Sequence, residues 1–282
     1  MSTIADGLRS SWWIAAVLGV ALAAPSASAG TDRDEEQWEA VRDEYFGDRE
    51  IRLDESGDVV ALDVPFRAQD PALAPMTIED RTGAERRITD LWLVVDKNPL
   101  PMAAHFRYGP EAADASLTSR IRIQTYSYVR AIAETDDGEL HMAREHVRAS
   151  GGCAAPISGD DGNPNLGQMR FSTDASGSPG VEGHLRIRHP QVTGLQMNQV
   201  TRLYPRPHYV DRMEITRGGE TVVDADLTFT FSENPSFRFR FAAEGKEPDA
   251  AMRVRVRDTE EQWFEEEFSL DTSTLLSGSE SR

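Results

Sequence analysis

The chain has 282 residues, with 30 Lys and Arg against 48 Asp and Glu, and a formal net charge of −18. A surface this acidic repels nucleic acid and anionic lipid; it suits solubility, or docking to a basic partner such as a c-type cytochrome. The single cysteine, Cys153, excludes an internal disulfide, so in an oxidising compartment it is free and reactive, intermolecular, or buried and inert.

In chain order, Arg9 precedes an apolar run from Trp12 to Ala24, Pro25 breaks it, and Ala27-Ser28-Ala29 precedes Gly30. That is the charged, apolar, small-residue layout of a secretory signal peptide. The run is shorter than the ~20 apolar residues that a spanning helix needs. Residues 1–29 are therefore expected to be removed and the rest exported to a periplasm, without membrane insertion. Asp6 and Arg9 cancel, so the mature chain keeps the whole acidic excess.

A helix is expected across "DRDEEQWEAVRDEYFGD". Trp38, Val41 and Tyr45 recur on one face, acids fill the first turn, and Gly47 is a natural stop. Strand signals follow. "ITDLWLVV" puts Leu91, Leu93 and Val95 on one face, and Asp96 to Pro101 reads as a turn before "MAAHFRY". "LTSRIRIQTYSYV" alternates Leu117, Ser119, Ile121 and Ile123, and Asp136-Asp137-Gly138 joins two strands as a hairpin.

From Ala149 to Gly183 the texture changes to Gly, Ser, Pro, Asp and Asn, which predicts a linker with "LGQMRF" as a short strand inside it. Strands return from His184. "EITRGGETVV" turns at Gly218-Gly219; "FRFRF" sets Phe237, Phe239 and Phe241 against two arginines; "MRVRVR" sets Met252, Val254 and Val256 against three. The expected organisation is a signal peptide (1–29), a first β domain (30–150), a flexible linker carrying the cysteine (151–183), a second β domain (184–271) and a polar tail (272–282). The fold class is mainly β, two sandwiches with a short N-terminal helix.

Most catalytic signatures are missing: no C-x-x-C-H, no G-x-S-x-G, no H-E-x-x-H and no phosphate loop. The six histidines are scattered, and His141 and His146 point to opposite faces of a regular strand. Asp160 to Gly167 lacks the terminal Glu of a calcium loop. No metal, cofactor or enzymatic activity is expected.

That leaves Cys153. Gly151 and Gly152 precede it and Ala154 and Ala155 follow, so the thiol rides on a thin peptide that Gly151 and Gly152 make flexible. No histidine is adjacent to activate it. This is the layout of a carrier, a thiolate holding cargo for another protein's active site. The thiol is expected to be exposed, mobile and dispensable for folding. The alternatives are an acidic docking module in which the cysteine is incidental, and a thiol redox switch.

"RASGGCAAP" resembles the Gly-Gly-Cys-Gly-Gly arm of SoxY, the sulfur-compound carrier of thiosulfate oxidation. "DLWLVVDKNPLPMAAHF" and "SRIRIQTYSYVRAIAETDDGELHMAREHV" resemble SoxY strands. "IRHPQVTGLQ" is similar to the His-Pro-x-x-x-Gly signature of SoxZ, and "PRPHYVDRMEITRGGETVVDADLTFTFSENPSFRFRF" to its core. The order resembles the fused SoxYZ-like carriers associated with quinoprotein dehydrogenases. The resemblance implies two immunoglobulin-like sandwiches packed on each other and Cys153 as the covalent attachment point. It implies periplasmic redox partners: a quinoprotein dehydrogenase, a cytochrome c or sulfur-oxidation enzymes. His189 takes a structural or docking role. Here the chain continues past the cysteine, and Ala154, Ala155 and Pro156 replace the trailing glycines, which shortens the reach of the arm.

Overall fold

In the computed structural model, which describes residues 29–156, 164–174, 180–198, 201–243 and 250–270, a helix α1 (Ala29–Tyr45) precedes an all-β body. The signal-peptide and polar-tail readings lie outside the described residues. Trp38 and Val41 are buried as the helical period requires, but Tyr45 is 49% exposed and Phe46 takes its place at 4%. The helix ends there: the Phe46 and Gly47 amides both donate to the Arg42 carbonyl, and Gly47 has φ +57°. Leaving the helical path swings Phe46 inward and Tyr45 out. Trp38, Val41 and Phe46 pack on Val94, Ile132, Leu140 and Met142 of the underlying sheet.

Eight strands form the first half: β1 (Ile51–Leu53), β2 (Val60–Asp63), β3 (Ala74–Asp80), β4 (Ile88–Val95), β5 (Met102–Tyr108), β6 (Ala112–Ile121), β7 (Ser127–Thr135) and β8 (Leu140–Val147). Seven form the second: β9 (Met169–Asp174), β10 (Val181–Ile187), β11 (Val210–Arg217), β12 (Glu220–Leu227), β13 (Ser236–Phe241), β14 (Met252–Asp258) and β15 (Trp263–Phe268). The alternation seen in the sequence is real. Leu91, Leu93, Val95, Phe237, Phe241, Met252, Val254 and Val256 are all 0% exposed. The β7–β8 turn places Gly138 at φ +82°, and Gly218 and Gly219 both take positive φ between β11 and β12, the backbone a tight hairpin needs.

Two sheets face each other. One has nine strands in the order β1-β8-β7-β4-β5-β12-β11-β14-β15; the other has six in the order β2-β3-β6-β13-β10-β9. Both cross the boundary between the halves. β5 pairs with β12 over Ala104 to Tyr108, and β6 pairs with β13. The halves are therefore joined edge to edge in both layers, and each covers hydrogen-bonding edges the other would otherwise expose. One continuous apolar core runs through both, from Val60 and Leu93 to Phe237 and Val254. The linker is shorter than the composition suggested: β9 and β10 lie within 151–183 or start there, and they pair antiparallel from Met169 to Asp174. The short strand expected at "LGQMRF" is β9, which starts three residues later and runs on to Asp174; only alternate residues of an outer strand need to be apolar, and here Met169 is buried and Phe171 half-buried.

The outer face of the nine-stranded sheet is neutralised row by row. Arg253 meets Glu267 at 3.3 Å, Arg255 meets Glu214 at 2.9 Å, Arg257 meets Asp211 at 3.0 Å, and Arg212 meets Asp224 at 2.6 Å. Beneath α1, Arg130 and Asp96 form a wholly buried ion pair at 2.9 Å, and the guanidinium lies 4.5 Å from the Trp38 ring centre. Among the described residues no helix is long and apolar enough to cross a membrane.

Candidate functional site

Cys153 sits in a single 3-10 turn, Gly152–Ala154, and is 0% exposed. This corrects the expectation of an exposed thiol on a mobile arm. The two glycines serve geometry rather than looseness. Gly151 takes φ +81°, ψ 13°, a left-handed conformation that favours glycine. Gly152 is pressed against the chain: a Cβ there would lie 2.0 Å from the Pro71 carbonyl oxygen and 2.7 Å from that of Ile123.

The turn is held on both sides. From the first half, the Gly151 amide donates to the Gln124 carbonyl at 2.7 Å and the Gly152 amide to that of Ile123 at 3.1 Å. The Cys153 amide donates to Gln124 Oε1 at 3.1 Å. From the second half, the Thr193 hydroxyl donates to the Cys153 carbonyl at 2.6 Å. Thr193 is itself fixed by its amide donating to Gln196 Oε1 at 2.9 Å. The segment 189–196 that carries Thr193 is the His-Pro signature, so that signature clamps the cysteine turn.

Arg122, 2% exposed, neighbours the thiol. Its Nη2 donates to the Gln191 carbonyl at 3.3 Å, while its Nε is buried without a hydrogen-bond partner. Burial pushes the Cys153 thiol up to about 12, and the Arg122 cation only partly offsets this. Burial also lowers the Arg122 pKa. At rest the thiol is protonated and unreactive.

Two of the six scattered histidines converge in one place. His189, His208 and Asp258 bring ligand-type atoms within 4.8 Å of one another. His208 Nε2 lies 2.9 Å from Asp258 Oδ2 and His189 Nε2 3.7 Å from it. These residues come from separate parts of the second half, which is why no spacing announces them. The donor set fits a metal poorly. The Gln191 amide donates to His189 Nδ1 at 3.2 Å, which puts the ring proton on Nε2 and removes the lone pair a metal would take. Asp258 Oδ1 is already used by the amides of Glu260 and Gln262. Burial, then the neighbouring His208, lowers His189 to about 4, so the ring is neutral and structural.

The fold and this clamped thiol define a class: a mainly β protein whose two halves share both sheets and hold one cysteine turn between them. The chain matches the family of the sulfur oxidation protein SoxY over residues 42–153 and that of the sulphur oxidation protein SoxZ over residues 169–269. It belongs with the fused SoxYZ-like proteins, and the SoxY match ends on Cys153 itself. No curated protein sequence matches the chain. Among solved structures it is similar to a superoxide reductase (neelaredoxin) from Ignicoccus hospitalis and to its E23A form. The identities are 13% and 14%; each match covers 35% of this chain and 94% or 93% of the other, with a TM-score of 0.30.

Proposed function

We propose that this protein is a periplasmic carrier, not itself an enzyme, that holds a sulfur-containing or other small intermediate covalently on Cys153 and presents it to partner enzymes. The observation that carries this reading is the only cysteine of the chain, at the end of the SoxY match and clamped by the SoxZ-like half. Its partners are periplasmic redox enzymes: sulfur-oxidation enzymes, a quinoprotein dehydrogenase or a cytochrome c.

The geometry supports a latched carrier rather than a swinging arm. Presentation requires the turn to leave Thr193 and Gln124, hinging at Gly151, whose left-handed backbone glycine adopts without strain. Release into water restores an ordinary thiol, so reactivity appears only when a partner draws the turn out. Arg122 balances negative charge on the sulfur or its cargo when the turn is docked.

The burial of Cys153 also favours a second reading, an acidic docking module whose cysteine is incidental. Intact mass of the protein isolated from its native compartment separates the two. A mass excess that reductant removes, and that Cys153→Ser lacks, supports the carrier; a clean free thiol under conditions of active sulfur oxidation supports the module. N-terminal sequencing of the same material is expected to begin at or near Gly30, and retention of Met1 would contradict export by a cleaved signal peptide.

A further inference from the structure

The outer face of the six-stranded sheet holds an open groove of about 610 Å³ lined by Arg120, Arg170, Arg186, Arg188, Arg238 and His184. Among the described residues no acidic one lines it. The volume lies within the ~300–1,000 Å³ usual for small-molecule sites. Strand register brings these residues together. Arg186 on β10 lies directly opposite Arg170 on β9, and His184 lies between Arg238 on β13 and Ser172 on β9. Arg238 leans on Glu182 at 2.6 Å, but among the described residues Arg120, Arg170, Arg186 and Arg188 form no ion pair.

Two contrasts make this arrangement informative. The chain carries −18 overall, so carboxylates are abundant. On the nine-stranded sheet the arginine rows of β11 and β14 are matched by acids, as with Arg255 and Glu214 or Arg257 and Asp211. On the six-stranded sheet Arg238 and Arg240 meet Glu182 and Asp114, but Arg170 and Arg186 face each other instead. Like charges directly opposite across a sheet are destabilising. His184 registers the resulting field: burial, then the cations of Arg238, Arg186 and Arg120, lower its pKa. Guanidinium groups are planar forks that pair with oxyanions two bonds at a time, and Gln168 adds polar lining.

We propose that this groove is a binding site for a small anion carrying more than one oxyanion group. Several arginines on one face of the sheet offer more positive charge than one sulfate-sized group uses. The site uses neither Cys153 nor its clamp, so it goes beyond the carrier reading and stands or falls separately from it.

The test is calorimetric titration of the full mature chain with pyrophosphate at low ionic strength, with sulfate, thiosulfate and hexaglutamate as parallel probes. One-site saturable binding of pyrophosphate, tighter than sulfate or thiosulfate, is expected. Arg170→Gln with Arg186→Gln should weaken it at least about tenfold, while Arg253→Gln with Arg255→Gln, the same charge change on the other sheet, should shift it less than about twofold. Pyrophosphate should also raise the thermal midpoint of the wild type beyond the effect of sodium chloride at equal ionic strength, and should not do so for the Arg170/Arg186 variant. The Cys153→Ser variant should bind as the wild type does. Equal loss in both double variants, absence of saturation, or binding of hexaglutamate alone would overturn the proposal, the last pointing to an acidic protein partner.

Discussion

Removing the thiol while varying pH isolates the energetic consequence of burying Cys153. The thiol rises from an ordinary 9.0 to about 12 in the folded protein. A folded-state pKa above the unfolded one contributes stability that is complete below the unfolded value. That stability is lost as pH rises through the window between the two, here from 9.0 to about 12. Relative to a Cys153→Ala variant, the wild type should lose roughly 1.4 kcal/mol by pH 10 and approach roughly 4 kcal/mol of loss at the top of that window. The assay is urea unfolding of both proteins at pH steps from 7 upward; the difference between the curves removes the contributions of every other titrating group. Alkylation gives a second reading. At pH 8 the thiolate fraction is about a thousandfold smaller folded than unfolded, so iodoacetamide should modify the native protein at least that much more slowly. Parallel stability curves, or native alkylation within about tenfold of the unfolded rate, would show that the thiol is not held as described.

Three further outcomes follow from the same geometry. Thr193→Val leaves the Cys153 carbonyl buried without its donor, which costs about 1–3 kcal/mol locally, and native alkylation of Cys153 should accelerate by one to two orders of magnitude while overall secondary structure by circular dichroism is kept; an unchanged rate would show that Thr193 is not the latch. Gly152→Ala forces a methyl group against the Pro71 carbonyl, 2.0 Å away, and should cost at least about 2 kcal/mol in urea unfolding or free the turn, visible as a reactive thiol; a stable, unreactive variant would contradict the close packing. Cutting the chain at a protease site introduced between residues 156 and 164 should leave the two fragments co-eluting on a sizing column, because β5 pairs with β12 and β6 with β13; separate elution would show that the shared sheets do not hold the halves together.

What the sequence by itself determined is local. Alternation at Phe237 to Phe241 and Met252 to Val256 specified strands and their buried faces, and Asp136-Asp137-Gly138 and Gly218-Gly219 specified hairpins, because a side-chain period of two and a positive φ are properties of a few neighbouring residues. The SoxY-like and SoxZ-like segments were legible by resemblance, because "RASGGCAAP" and "IRHPQVTGLQ" are contiguous in the chain. Tertiary structure alone decided the rest. Nothing near Cys153 in the chain announces its burial; the turn that carries it is held in place by Gln124 and by Thr193, which lies 40 residues away. Nothing in "RFSTD" or "HLRIRHP" announces an unpaired cluster of arginines, since whether an outward cation meets a carboxylate depends on which strand lies beside it. Nor does either half reveal that both of its sheets continue into the other. Strand edges pair through backbone groups that every residue carries, so the choice of partner is made by the shapes of the two cores as they meet and not by the identity of the side chains along the edge.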